Sequence, residues 1–124
     1  MWTYVAIAVG GILGCWARYG MTSLLQLLFG RSFPVATLCI NVLGSFLMGF
    51  LFILTLDRVT ISPALRAGIL TGGLGGFTTF STFSMETLLL AEEGEMLKAT
   101  TYVALSITLG LLAVFSGAYL ARTY

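Results

Sequence analysis

Residues 71–84 read Thr71-Gly72-Gly73-Leu74-Gly75-Gly76-Phe77-Thr78-Thr79-Phe80-Ser81-Thr82-Phe83-Ser84. Four glycines fall within five positions, and everything from Phe77 to Ser84 is Phe, Thr or Ser. Glycine and hydroxyl-bearing residues are poor material for a helix interior. The stretch nevertheless lies inside a long apolar segment, so it predicts a helix that breaks near Gly75-Gly76-Phe77-Thr78-Thr79. Inside a bilayer, such a break is tolerated only where protein or a polar cavity supplies partners for the freed amides and carbonyls. Freed carbonyls can hold a cation, and a restarting helix can present N–H groups to an anion.

The rest of the chain requires the bilayer. Of 124 residues, 58% are apolar and only 9% are charged, and the mean hydropathy is +1.01. Ordinary soluble domains carry about 25% charged residues, so this chain cannot coat a water-facing surface. Charges punctuate four apolar segments at approximately residues 2–29, 34–56, 63–91 and 98–120. Each is long enough to cross a hydrocarbon core. The expected fold is an all-α membrane protein, a single four-helix transmembrane domain over residues 1–124, with the third helix broken in mid-membrane. Ser62 before Pro63 reads as a helix N-cap.

Several function classes fall away. A formal net charge of +1 gives no electrostatic footprint for nucleic acid. Histidine is absent, and no paired carboxylates replace it as acid and base, so the chain reads as no enzyme. Cys15 and Cys39 lie in apolar stretches and imply no disulfide framework. The opening residues lack the positive start of a secretory signal, so the first apolar stretch is kept as a span.

Orientation is balanced. Arg58, Arg66 and Arg122 fall at the end that holds both termini. Arg31 and Lys98 fall at the other, joined by Arg18 if its side chain snorkels there. Three against three gives the positive-inside rule nothing to act on, which permits insertion both ways and an antiparallel pair of identical chains. Small residues four apart, among them Gly10 and Gly14, Gly68, Gly72 and Gly76, and Ala113 and Gly117, favour close helix contact.

Polar and aromatic residues form short rails. Thr37 and Asn41 are four apart on the second span, and Tyr102 and Ser106 are four apart on the fourth. An asparagine amide in this setting can offer two hydrogen bonds to an anion. Phe77, Phe80 and Phe83 recur every third residue and would stack along one helix side. A phenyl edge is positive and suits an anion, whereas its face suits a cation. Arg18 and Glu86 are the only charges well within the spans, and intramembrane charges are candidates for function.

The run Gly75 to Ser84, with Glu86 two residues later, closely resembles the fluoride-channel family known as Fluc or CrcB. Gly10-Gly11-Ile12-Leu13-Gly14 with Arg18, and Thr37-Leu38-Cys39-Ile40-Asn41, extend the resemblance over the whole chain. It implies a fluoride-selective channel of the inner cell membrane, multi-pass, that exports fluoride passively. It also implies a dual-topology, antiparallel homodimer with two pores. The two broken third helices would cross at its centre, where the backbone carbonyls of Gly75 and Thr78 hold a structural Na⁺. By the same resemblance Phe80 and Phe83 meet fluoride, Asn41 is the pore amide, and Thr37, Tyr102 and Ser106 form a polar track with Ser81 and Thr82 nearby. Arg18 matches a vestibule arginine, and Glu86 is left without an assigned role. Where some members continue the track four residues beyond Ser106 with Ser, this chain has Gly110.

Two other classes compete. A small multidrug-type transporter also has four short spans, but its proton coupling needs an embedded carboxylate, usually in the first span, where this chain has only Arg18. A membrane assembly subunit without transport activity is the third reading.

Overall fold

The computed structural model describes all 124 residues, Met1–Tyr124. The chain is all-helical and crosses four times. Helix α1 spans Trp2–Phe29, and α2 spans Val35–Ile53 and runs on through a wider π-helical turn, Leu54–Arg58. The third crossing is made of pieces: α3 (Pro63–Ala67), a π-helical stretch Gly68–Leu74, α4 (Gly75–Phe77), then α5 (Phe80–Glu92). The fourth crossing is α6, Met96–Thr123. Helix α1, the α2 run and α6 are each long and apolar enough to cross a membrane unbroken. The third segment is built of shorter pieces and is not one of these unbroken spans.

The helix ends follow from local chemistry. Ser62 accepts a hydrogen bond from the Leu65 amide at 3.1 Å, with Pro63 in the first turn, the cap that its position before proline predicts. Gly30 (φ 75°) and Gly94 (φ 79°) take up the left-handed conformation just past α1 and α5. Glycine adopts that conformation without the Cβ penalty other residues incur.

Two close helix pairs make up the bundle. Helix α1 packs along Gly68–Leu74, and a Cβ added at Gly10 or Gly14 would run into the Gly68 or Gly73 carbonyl respectively. Helices α2 and α6 approach equally closely, with Gly49 against the Val114 backbone and Gly117 against the Phe46 backbone. Backbones in a bilayer gain attraction by this kind of approach, where lipid tails give apolar side chains no reason to prefer each other. Hydrogen bonds tie the ends together. Arg58 donates to the Arg122 carbonyl at one end, and Lys98 donates to the Ser32 carbonyl at the other, at 3.4 Å.

Only 17 of 124 residues are buried, and bulky apolar side chains cover much of the outside. Such a surface is stable against lipid or another apolar helix, not against water.

The structure sharpens one expectation and corrects two. The third helix breaks within the expected stretch, at Thr78 (ψ 157°) and Thr79 (φ −153°), while Gly75 is still helical at φ −62°, ψ −39°. Gly68, Gly72 and Gly76 serve packing against α1, whose close contact outweighs their low helix propensity. Secondly, Phe77 does not stack with Phe80 and Phe83. It lies before the break, buried towards Gly44. Thirdly, Arg18 does not snorkel. It stands deep in α1, where its Nε donates to the Gly76 carbonyl at 3.0 Å. That removes it from the loop-side charge count and leaves Arg31 and Lys98 facing three arginines at the other end.

Candidate functional site: the break in the third crossing

The break is held open by one side chain. Asn41 on α2 accepts a hydrogen bond from the Thr79 amide through Oδ1 at 2.8 Å and donates through Nδ2 to the Thr79 carbonyl at 3.1 Å. It thereby replaces two backbone partners that a continuous helix would have supplied. One Nδ2 hydrogen is left over. The two-bond offer to an anion expected of Asn41 is reduced to one.

Thr79 then restarts the helix. Its Oγ1 accepts from the Thr82 amide at 3.2 Å and donates to Thr82 Oγ1 at 2.9 Å, with Ser81 Oγ 3.4 Å away. This N-cap satisfies one of the orphan donors of α5. Ser81 is exposed and Thr82 half-buried, so both belong to a hydroxyl cluster at the cap.

These substitutions have a consequence upstream. The amide of Thr79 would bond the Gly75 carbonyl in an unbroken helix, and the amide of Thr82 would bond the Thr78 carbonyl. Asn41 and Thr79 Oγ1 take those two amides. The carbonyls of Gly75, Phe77 and Thr78 therefore lose their helical donors, the Ser81 N–H making no bond back to Phe77, and of these residues Gly75 lies exposed. The Gly76 carbonyl between them is taken by Arg18.

Beside the break runs an open groove of about 480 Å³, walled by Asn41, Thr78, Thr79, Phe80, Phe83 and Ser106, with Gly44, Ser45 and Gly110 among the small residues that make room. Phe80 is 78% exposed. Its ring lies 5.5 Å from that of Phe83 at 57°, and Phe83 meets Tyr102 at 5.0 Å and 62°. A phenyl edge carries the positive end of the ring quadrupole. Ser106 Oγ is buried without a hydrogen-bond partner. No charged side chain lines this groove.

The remaining candidates lie around it. Thr37 (3% exposed) and Tyr102 (0%) are enclosed behind Phe83, and the Tyr102 hydroxyl donates to Glu86 Oε1 at 3.0 Å. Three contributors escaped the sequence reading. Thr79 is the cap, and its position just before the restarting helix was a readable signal. Gly44 makes room for the Thr78 methyl, and nothing local marks it out. Arg66, noted only in the charge count, donates to Thr55 Oγ1 at 2.9 Å and stacks over Phe52 at 4.4 Å.

A family profile described as CrcB-like protein, Camphor Resistance (CrcB), matches residues 5–118. The chain belongs to the CrcB family. Among its relatives are proteins named fluoride-specific ion channel FluC. That of Acidithiobacillus ferrooxidans is 57% identical over 121 residues, covering 98% of this chain and 97% of the relative. That of Geobacter sulfurreducens is 46% identical, covering 98% of each. The Methylococcus capsulatus relative is 53% identical over 117 residues and covers 94% of this chain, which spans 51% of that longer protein. The name these CrcB relatives share is that of an ion channel, not of an enzyme.

Proposed function

We propose that the chain is a fluoride-selective channel through which fluoride leaves the cell passively across the inner membrane. The observation that carries this reading is the uncharged groove at the break. It offers the rings of Phe80 and Phe83, one spare Asn41 N–H and the unpartnered Ser106 hydroxyl. Fluoride sheds water only against substitutes, and a fixed positive charge would trap it. Weak neutral donors in sequence let an ion enter and leave. The name shared by relatives at up to 57% identity supports the same ion.

The working unit is an antiparallel dimer with two pores. One chain offers Phe80 on an open surface, so a second copy is needed to wall the groove. The exposed Gly75 and the Thr78 backbone suit a central Na⁺. Their carbonyls are among those deprived of helical donors at the break, and a symmetry-related copy would supply the same pair again. The ion would fix the crossing of the two third helices and take no part in permeation. In the path itself Phe80 and Phe83 contact fluoride, Asn41 gives its remaining N–H, and Thr37, Tyr102 and Ser106 continue the track, with Ser81 and Thr82 beside it. Arg18 shapes the approach through its hold on Gly76.

Purified protein in vesicles loaded with fluoride, followed with an ion-selective electrode, tests this reading. Rapid fluoride release with chloride retained is expected. Release no faster than from empty vesicles, in a preparation shown to be dimeric, overturns it.

A further inference from the structure

A second cavity, of about 330 Å³, opens at the end of the bundle opposite the termini, and its walls include Gln26, Arg31, Phe33, Glu86, Glu93 and Lys98. It shares no lining residue with the groove at the break. Tyr102 stands between the two. Its ring is 5.0 Å from Phe83 on the groove wall and 5.7 Å from Phe33 on the cavity wall, and it has no solvent exposure. Its hydroxyl proton is given to Glu86 on the cavity side.

Glu86 is a carboxylate without an ionic partner. The one ion pair in the chain joins Lys98 to Glu95 at 3.9 Å. A lone carboxylate within a membrane helix is costly, and a glutamine of the same shape would accept the Tyr102 hydrogen bond without that cost. The negative charge therefore needs a reason beyond packing. Placed against the hydroxyl of the ring that separates groove from cavity, it competes for that hydroxyl with any anion arriving from Phe83.

We propose that Tyr102 is a gate between the groove and this cavity, that Glu86 is its latch, and that the cavity is the far mouth of the pathway. This rests on the fluoride-channel reading. With no ion present, the carboxylate holds the hydroxyl. A fluoride ion at Phe83 takes that hydrogen bond over, the tyrosine lets go of Glu86, and the ion passes into a mouth whose Arg31 and Lys98 offset the carboxylates there. Glu86 is thus a positioning residue, acting on the ion through Tyr102.

The test places a cysteine in the mouth. In a Cys15→Ser, Cys39→Ser background, Gln26→Cys is reconstituted, labelled with a water-soluble sulfonate-bearing methanethiosulfonate, and checked by mass spectrometry. Labelling is expected to cut fluoride release about tenfold or more, a barrier change well within the reach of an obstructed, negatively charged mouth. Complete labelling with release unchanged, or a cysteine that water-borne reagent never reaches, overturns the mouth. Arg31→Cys repeats the experiment should Gln26→Cys not fold. For the latch, Glu86→Gln is expected to speed release about threefold when Tyr102 is intact and to do nothing in a Tyr102→Phe background, since coupled residues are non-additive. An equal change in both backgrounds overturns it. A parent protein that releases no fluoride at all would instead refute the channel reading itself.

Discussion

The half of the third crossing before Thr78 carries Gly68, Gly72, Gly73, Gly75 and Gly76, and α5 after the break carries no glycine. The first half is pressed against α1 closely enough that a Cβ at Gly72 would meet the Ile7 carbonyl and the Gly11 amide. The second half stands largely free, with Phe80 78% and Met85 55% exposed. On either side of the break lie residues that disfavour a helix interior, glycines before it and Thr, Ser and Phe just after it. Glycine bought contact, whereas hydroxyls and rings supply chemistry. Low helix propensity therefore has two meanings in a membrane: backbone meant to be approached, and backbone meant to be opened.

That contrast can be broken at its hinge. Asn41→Leu leaves the Thr79 N–H and C=O without their partner at roughly 1–3 kcal/mol each, and fluoride release is expected to fall by about a hundredfold or more, since a misplaced binding group costs that much. The electrode assay checks it, and wild-type release from the variant would detach the clamp from the pathway. Next in size is the packing half. Gly14→Val drives a side chain into the Gly73 carbonyl and is expected to cost about 1–3 kcal/mol or more, seen as a lower melting temperature and less monodisperse protein. The protein that does assemble should still conduct.

Smaller effects sharpen the same division. Thr79→Ala removes the cap of α5, worth about 1 kcal/mol, so stability and flux should both drop modestly. Thr79→Ser should restore both, because it keeps the accepting oxygen. Smallest is Ser62→Ala, which takes away a cap at the bundle end and should cost on the order of 1 kcal/mol of stability, read as a lower melting temperature, with flux per folded protein unchanged. A flux change there would show that the two halves are not separable.

Much of this was legible in the sequence, for stated physical reasons. Span positions follow from where charges can and cannot lie, and a break somewhere in residues 75–79 follows from composition. Its place did not, because helix propensity of about 1 kcal/mol per glycine is outweighed by contact with α1, which lies some 60 residues away in the chain. Asn41 stood out as a buried amide, yet its grip on Thr79 pairs residues 38 apart, beyond any local pattern. Arg18 misled for the same reason: snorkelling is the default for an arginine within a span, but a carbonyl left by the neighbouring break was a nearer partner.

The measurement that bears most directly on the central claim is fluoride release per folded protein for Phe83→Ile, read beside its melting temperature and oligomeric state. The ring edge at the groove is held to be chemistry and not packing. The predicted result is a protein that assembles like the parent and releases fluoride at least about tenfold more slowly, the scale expected when one contact made by the moving ion is lost. A variant that assembles and conducts as the parent does would contradict it, and would return the rings of the second half to the packing role that the glycines fill in the first.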